Sequence, residues 1–307
     1  MTIVSTSTGA FYERSRANMK DLRTQAETLQ AQLSSGQKLT RSSDNPVAAS
    51  RLRALSRLEA LSEIDTTNSD RASSDLSLAD SAMSDMADSI IRAKELALQA
   101  SNSATTADQR SAIGAELAQI HSNLLALSNA RDSNGHALFG GETAGDAYGL
   151  DASGNAVYLG TPTTSDLPIG EGQTVTRSMT GPEFLNFDDG AGGTTDIMAT
   201  IKALSDALQG GSATPAAAAQ GALADLQTGL DSLTTGQTVI GTRLSWLEVT
   251  SERRTNQSEL RSTEEADLGS TDLASTVARL QETLTVLEAS QASFSKLASL
   301  SLFDNIR

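Results

Sequence analysis

Apolar and small residues recur at alternating spacings of three and four along most of this 307-residue chain. That spacing is typical of long helices, each with one continuous stripe for packing against a neighbour. It predicts a first helix over about residues 5–35 and a last helix over about 271–302. Because these helices are equally long, we predict that the two ends of the chain pair. The stripes are Tyr12, Ser15, Met19, Leu22, Ala26, Leu29 and Leu33, then Leu273, Val277, Leu280, Leu284, Leu287, Gln291, Phe294 and Ala298.

Two further long helices lie between the terminal helices in the sequence. The same spacing predicts helices over about 46–102 and 216–264. The segments 36–45 and 265–272 interrupt the pattern, so the outgoing half of the chain mirrors the returning half. A glycine suits the end of a helix, and a proline suits the first turn of the next. The residues that we assign to the two breaks, as hinges or links, are Gly36, Lys38, Arg41, Pro46 and Gly269.

The middle of the chain has a different character. After a predicted helix over about 107–131, residues 136–193 are rich in glycine and proline and alternate turns with short β-like pieces, which are 156–160, 174–181 and 183–187. We therefore predict a mainly α fold with a small β-rich insert: a nested long-helix hairpin, or coiled-coil bundle, that carries a β domain at its tip. The predicted domains are 1–45 with 265–307 (terminal helices and links), 46–135 with 194–264 (inner helical bundle), and 136–193 (a small acidic β-rich outer domain).

Charge and hydropathy exclude several classes of partner. The formal net charge is −15, which argues against a nucleic-acid partner. The start of the chain lacks the apolar region of a secretory signal peptide, and no apolar run approaches the length of a membrane helix. We expect neither a cleaved signal nor membrane insertion.

The sequence offers no constellation for catalysis. His121 and His136 are the only histidines, and neither has a cysteine or acidic partner at a metal-ligand spacing. We predict polar surface roles for both. The chain also has no cysteine, no phosphate-binding glycine motif and no nucleophile arrangement. We therefore expect a protein that is not an enzyme, with no metal and no cofactor.

The terminal helices differ from the inner ones because Ser, Thr, Gln and Ala dilute their stripes. A pair of helices this polar is marginal alone, since most helix stability comes from tertiary burial. We therefore expect residues 1–35 and 271–307 to be disordered or loosely helical in the monomer and to fold on assembly with other copies.

Several stretches resemble the bacterial flagellin family. "LSSGQKLTRSSDNPVAASRL" (33–52) looks like the flagellin N-terminal signature. "IIRAKELALQASNSATTADQRSAIGAELAQIHSNLLALSNARDSNG" (90–135) is similar to the helical region of flagellins. "NGHALFGGE" (134–142) and "LQETLTVLEASQASFSKLASLSLFDNI" (280–306) resemble the branch of the family that joins the flagellar hook to the filament.

This resemblance implies a structural role in the bacterial flagellum. Members of that branch form a ring of copies between the first hook-associated protein and flagellin. They leave the cell through the type III export channel without a cleaved signal, and a dedicated chaperone holds them beforehand. Two alternatives stay open. The chain could be flagellin, the filament subunit itself, or a generic coiled-coil adaptor or secretion-tip protein.

The resemblance also assigns roles to residues. It implies that the terminal helices form an inner tube, and that the apolar C-terminal end contacts the chaperone or the tube. The alternative for every one of these residues is ordinary packing within one copy. The expected tube residues are Met19, Leu22, Leu29, Leu33, Leu280, Leu284, Leu287 and Phe294, and those of the C-terminal end are Leu300, Leu302 and Phe303.

Overall fold

The computed structural model describes residues 3–188 and 192–304, with side chains over 9–188, 192–210 and 212–297. Helices make up 72% of the chain and a small strand-containing insert interrupts them, which confirms the predicted fold class. The chain divides into two compact units. Unit 1 is Met1–Ala60 with Asn256–Arg307, and unit 2 is Leu61–Thr255.

The long helices begin and end close to the predicted residues. Glycine and proline account for most of these boundaries, because one ends a helix and the other starts it. The helices are α1 (Ile3–Ser35), α2 (Pro46–Ser101), α3 (Ala107–Ser128), α4 (Gly181–Leu185), α5 (Ile197–Asp206), α6 (Pro215–Gly269) and α7 (Leu273–Asp304), with a π-helical turn at Ala207–Gly211 after α5.

One predicted break is wrong in extent. We expected the chain to leave its helical course over 265–272, but α6 continues through Gly269 and only residues 270–272 separate it from α7. The sequence "EEADL" before Gly269 consists mostly of good helix formers, so the helix propagates until the glycine ends it.

Within its described residues, 136–188 and 192–193 with the adjoining 194–196, the insert region holds six short strands in three antiparallel pairs. Tyr148 faces Tyr158 in the first pair, Leu167 faces Val175 in the second, and Phe187 faces Thr195 in the third. The strands are β1 (Tyr148–Leu150), β2 (Ala156–Tyr158), β3 (Asp166–Gly170), β4 (Gln173–Thr176), β5 (Asn186–Asp188) and β6 (Thr194–Asp196).

One predicted strand of the insert is partly a helix. The stretch 183–187, which we expected to be β-like, begins as the short helix α4 and becomes β5 only at Asn186. The Glu183 carboxylate accepts a hydrogen bond from the Thr180 amide at 2.6 Å, and Pro182 lies in the first turn. Both features favour helix initiation.

The core of unit 2 repeats every seven residues on two helices. Fully buried side chains on α2 alternate between spacings of three and four, and those on α6 recur at a spacing of seven. This is the pattern of helices that stay in contact over many turns. The buried set on α2 includes Ala72, Leu76, Ala79, Met83, Met86, Ile90, Ala93 and Ala97, and that on α6 includes Ala219, Leu226, Leu233, Ile240 and Leu247.

Small residues on α6 make room for other elements. A Cβ built on Gly236 would lie 2.8 Å from Met83 Cε and 2.8 Å from Phe184 Cβ, and one on Gly229 would collide with Ile197 Cδ1. Close approach of α2, α4 and α5 to this helix therefore depends on two glycines.

Polar side chains of the long helices hold the insert in unit 2. Arg254 donates to the Ile169 carbonyl at 2.7 Å and to Ser69 Oγ at 3.1 Å. Asn68 donates to the Pro168 carbonyl at 2.8 Å. The Arg254 and Asn68 side chains thus donate to backbone oxygens of β3, so the β3–β4 hairpin is fixed to α2 and α6 through its main chain.

The two histidines have different environments. The prediction of a surface role for His121 is wrong, because the side chain is buried with only 8% exposed. Burial, and then the charge of Lys202, lowers the pKa of its imidazole. His136 is half exposed, with Nδ1 3.6 Å from Asp132 Oδ2. Sequence reasoning overlooked this acidic neighbour, which lies four residues before His136 across a turn.

A pair of buried carboxylates lies in the same unit. Asp75 on α2 is only 2% exposed, and its Oδ1 has no hydrogen-bond partner among the described atoms. Burial, and then the charge of Asp132, raises the pKa of Asp75 against the attraction of Arg177, whose Nη1 lies 4.0 Å from Asp75 Oδ2. Burial alone would raise the pKa of Asp132 too, but amide donors of His136 and Asn134 hold it below its ordinary value.

We predict opposite effects when a methyl group replaces the hydrogen of two glycines in α6. Gly236→Ala pushes on Met83 and Phe184 and should lower the free energy of unfolding by about 1–3 kcal/mol. Gly241→Ala meets nothing within 4 Å and should raise it by about 0.5–1 kcal/mol, because alanine favours a helix. Denaturant unfolding measures both. Equal changes would show that α6 is not closely packed at Gly236.

We also predict opposite effects for the two carboxylates. The raised pKa of Asp75 means that the unfolded chain ionises at lower pH than the native one, so stability falls as pH rises above about 4. Asp75→Asn should therefore raise the melting temperature at pH 7, and the gain should shrink toward pH 4. Asp132 has a lowered pKa, so Asp132→Asn should lower the melting temperature at pH 7. A loss of stability in both variants would contradict the assignment of Asp75 as a destabilising buried charge.

Candidate functional site

The first and last helices pair within unit 1, as predicted. Tyr12 packs edge-on against Phe294 with ring centroids 5.4 Å apart, and its hydroxyl donates to the Leu297 carbonyl at 3.3 Å. Further along, Ala26 and Leu29 are buried at 7% and 9% exposure. We call this contact the terminal seam. Its half-buried or buried members are Tyr12, Met19, Leu22, Ala26, Leu29 and Leu33 on α1, and Thr276, Leu280, Thr283, Leu287, Ser290 and Phe294 on α7.

The face of α7 that meets α1 is rotated relative to the predicted stripe. Thr276 and Thr283 are buried at 5% and 7% exposure, whereas Leu273, Val277 and Leu284 are 54%, 38% and 43% exposed. The Thr283 hydroxyl donates to the Arg279 carbonyl at 2.7 Å, so its polar atom is satisfied within its own helix while the residue packs in the seam. Sequence reasoning missed both threonines because it ranked leucine and valine above them.

The structure therefore brings most of the expected tube residues together within one copy. Seven of the eight line the terminal seam, while Leu284 lies beside it and faces solvent. The other exposed apolar residues nearby are Phe11, Val286 and Leu297, which border a groove of about 350 Å³ on the opposite flank of α7. Leu300, Leu302 and Phe303 lie outside the residues whose side chains the structure describes.

The two breaks meet each other through their main chains. The Lys38 amide donates to the Gly269 carbonyl at 2.7 Å, and the Thr271 amide donates to the Gly36 carbonyl at 3.0 Å. Gly36 adopts a positive φ of 69° and donates to the Gln32 carbonyl at 2.9 Å, as a C-terminal glycine cap does. The predicted link residues Gly36, Lys38 and Gly269 thus form one structural junction.

The outgoing link is shaped by a carboxylate. Asp44 Oδ2 accepts from the Arg41 amide at 2.8 Å and from Thr40 Oγ1 at 3.0 Å, and these bonds lower the pKa of Asp44. Asn45 Oδ1 accepts from the Ala48 amide at 3.1 Å and so caps α2, which begins at Pro46. Arg41 contributes here through its backbone, and its side chain is exposed.

Ion pairs join α2 and α6 next to the links in unit 1. Arg51 binds Glu264 with two hydrogen bonds of 2.6 and 2.7 Å. Arg261 binds Glu59 at 3.0 Å, and Ser258 donates to the same carboxylate at 2.7 Å. A groove of about 570 Å³ opens beside them, with Leu39 and Leu52 among its lining residues.

Other kinds of site have little support in this part of the chain. Among the described residues, no group of three or more His, Cys, Asp or Glu side chains is arranged to hold a metal ion. No helix within 3–188 or 192–304 combines the length and apolarity needed to cross a membrane. The surfaces described above are the terminal seam, its exposed flanks and the paired links.

Comparisons with known proteins agree with this architecture. Residues 6–144 match the bacterial flagellin N-terminal helical region. Over 97% of its length the chain is 25% identical to flagellar hook-associated protein 3 of Escherichia coli and 24% identical to that of Salmonella typhimurium, and it covers 98% of each.

Solved structures share the fold. One is a putative flagellar hook-associated protein from Vibrio parahaemolyticus, with a TM-score of 0.68 and 22% identity over 74% of this chain and 100% of that chain. Another is flagellar hook-associated protein 3 from Legionella pneumophila, with a TM-score of 0.62 and 16% identity over 75% of this chain and 99% of that chain. The chain is therefore similar to bacterial flagellins over residues 6–144 and to flagellar hook-associated protein 3 over nearly its whole length.

Proposed function

We propose that this protein is the structural subunit that joins the hook of a bacterial flagellum to its filament. The observation that carries the proposal is that the similarity to flagellar hook-associated protein 3 runs along 97% of this chain and 98% of that protein. Such a match includes both terminal helices and the insert, whereas the flagellin N-terminal region accounts only for residues 6–144.

In this proposal, copies of the chain form a closed ring outside the cell. The ring contacts the first hook-associated protein on one side and flagellin on the other. The chain reaches that place through the type III export channel, without a cleaved signal peptide and after release from an export chaperone. Its C-terminal residues Leu300, Leu302 and Phe303 are the proposed chaperone or tube contacts.

The terminal seam supports the tube-forming part of the proposal. The buried Thr276 and Thr283 and the half-buried Ser290 make the seam partly polar, so one pair of helices buries little apolar surface. Apolar residues remain exposed on both flanks of α7, with Val277 and Leu284 on one side and Val286 and Leu297 on the other. Exposed apolar stripes on two sides of a helix fit a neighbour on each side. We propose that assembly provides those neighbours and completes the folding of both ends.

Flagellin itself is the second candidate, because the match over residues 6–144 is to a region that flagellins carry. The C-terminal "SLSLFDN" (299–305) argues for the junction protein, since its resemblance is to that branch. Seeded polymerisation separates the two: purified protein that elongates into long filaments on flagellar seeds would favour flagellin. A generic coiled-coil adaptor would lack the flagellin-like region that this chain has.

Deletion of the gene in its own host tests the proposed function. The expected result is hooks without filaments, together with flagellin monomers in the medium, because the filament has no base on which to grow. Electron microscopy of the cells and immunoblots of the medium provide the measurements. Normal filaments on the deletion strain would refute the proposal.

A variant on the exposed flank of α7 tests the tube separately. Val277→Ser with Leu284→Ser should lower the melting temperature of the monomer only slightly, since the two residues are 38% and 43% exposed in one copy. The same variant should fail to restore filaments in the deletion strain, because the flank loses its apolar contact with a neighbour. Leu98→Ser is the control, since Leu98 is 64% exposed but lies on α2 in unit 2, outside the terminal helices. Full complementation by the α7 variant would exclude this flank from the assembly.

A further inference from the structure

Unit 1 separates its charges between the outgoing and the returning chain. Residues 1–60 hold nine basic and five acidic residues, a net charge of +4, whereas residues 256–307 hold four basic and eight acidic residues, a net charge of −4. The separation is sharpest beside the links. Residues 36–60 carry five basic and two acidic residues, and residues 256–272 carry one basic and five acidic residues.

Only some of these charged side chains form ion pairs within one copy. Arg51 pairs with Glu264, and Arg261 pairs with Glu59. Within the described part of the chain, no ion pair forms at the other charged side chains of the two segments, all of which are exposed. These are Lys38, Arg41, Asp44, Arg53 and Arg57 on the outgoing side and Glu259, Glu265, Asp267 and Asp272 on the returning side.

The unused charges lie on outward faces of the two helices. Arg53 and Arg57 each lie two residues from Leu55, which is 1% exposed, and two residues turn a helix by about 200°. They therefore point away from the packed side of α2. Glu259 lies two residues from Arg261, whose guanidinium reaches back to Glu59, so Glu259 points away from α2. Asp267 follows about two turns later and is also exposed.

We propose that neighbouring copies meet side by side through these faces. The basic face of α2 in one copy, with Arg53 and Arg57, lies against the acidic face of α6 in the next, with Glu259 and Asp267. The proposal rests on the proposed ring of copies and specifies how its members recognise each other.

Charge complementarity identifies the occupant as a second copy. Each face carries the sign that the other attracts, and the chain supplies both in the same unit. A two-fold contact centred on either face alone would bring like charges together, which costs free energy. The head-to-tail contact pairs opposite charges at every step, and a contact of this kind produces a ring when its rotation closes.

Charge reversal in the full chain tests the proposal in the deletion strain. The basic-face variant is Arg53→Glu with Arg57→Glu, the acidic-face variant is Glu259→Arg with Asp267→Arg, and the swap variant carries all four changes. The measurement is the fraction of hooks that carry filaments. Each single-face variant should reduce that fraction at least about tenfold, since opposed like charges replace attraction. The swap variant should restore it, because opposite charges face each other again.

Co-expression gives a second readout that needs no four-fold variant. A basic-face variant has two acidic faces, and an acidic-face variant has two basic faces. Neither should assemble alone, yet together they should alternate around the ring and restore filaments. A partner other than this chain, such as flagellin, would keep its own charges, so neither the swap nor co-expression could restore assembly.

The controls keep the outcomes separate. Every variant should leave the cell in the same total amount as the wild type, counted on hooks and in the medium together, and should melt at the wild-type temperature, which shows that export and folding are intact. Glu142→Lys is the matched control for reversal of one exposed carboxylate, and it should complement fully. If the wild-type gene fails to restore filaments, the proposed function fails. If the wild type complements and both single-face variants do so too, or if neither the swap nor co-expression restores assembly, the contact proposed here is overturned.

Discussion

The seven-residue register of α2 and α6 is the constraint on which the rest of unit 2 depends. Two helices of 56 and 55 residues stay in contact only if buried side chains return to the same face over many turns. Leu76, Met83 and Ile90 do so on α2, and Leu226, Leu233 and Ile240 do so on α6. The small residues between them on α6 then admit Phe184 and Ile197. The insert can vary in its turns as long as these contacts and the Arg254 hydrogen bonds persist.

The buried positions of the terminal seam follow the same spacing, but less apolar residues occupy them. Threonine and serine occupy seam positions of α7 that leucine or methionine would fill in a self-sufficient pair, and the neighbouring leucine and valine face solvent. A monomer with a fully apolar seam would hold its ends closed before assembly. A partly polar seam lowers the stability of the isolated pair and leaves apolar side chains for contact with other copies. The composition of α7 is therefore consistent with an element whose final partners come from other chains.

Local sequence patterns predicted most of the helices, whereas features that depend on packing between distant segments could not be predicted. The ends of α1, α2 and α7 follow from the spacing of apolar residues and from Gly36 and Pro46. Each of these signals is contained in a few neighbouring residues. The orientation of α7 was not readable, because Thr283 and Leu284 are neighbours and only contact with α1 shows which one is buried. His121 was misplaced for the same reason, since α3 alone does not show that another element covers it. The pairing of the six strands depends on contacts between separate turns, which composition does not encode.

The two short breaks between the helices contact each other through the main chain and carry opposite charges beside that contact. Backbone hydrogen bonds between Lys38 and Gly269 and between Gly36 and Thr271 join the end of α1 to the start of α7 at one place. Because main-chain bonds hold the two breaks together, that contact does not need the side chains of Lys38 and Arg41, which are exposed. Arg51 and Glu264 then fix the outgoing helix to the returning one from within. The remaining charged side chains can be mainly basic on the outgoing side and mainly acidic on the returning side without destabilising the copy that carries them. The links can therefore direct assembly, while the seven-residue register of the long helices maintains the fold.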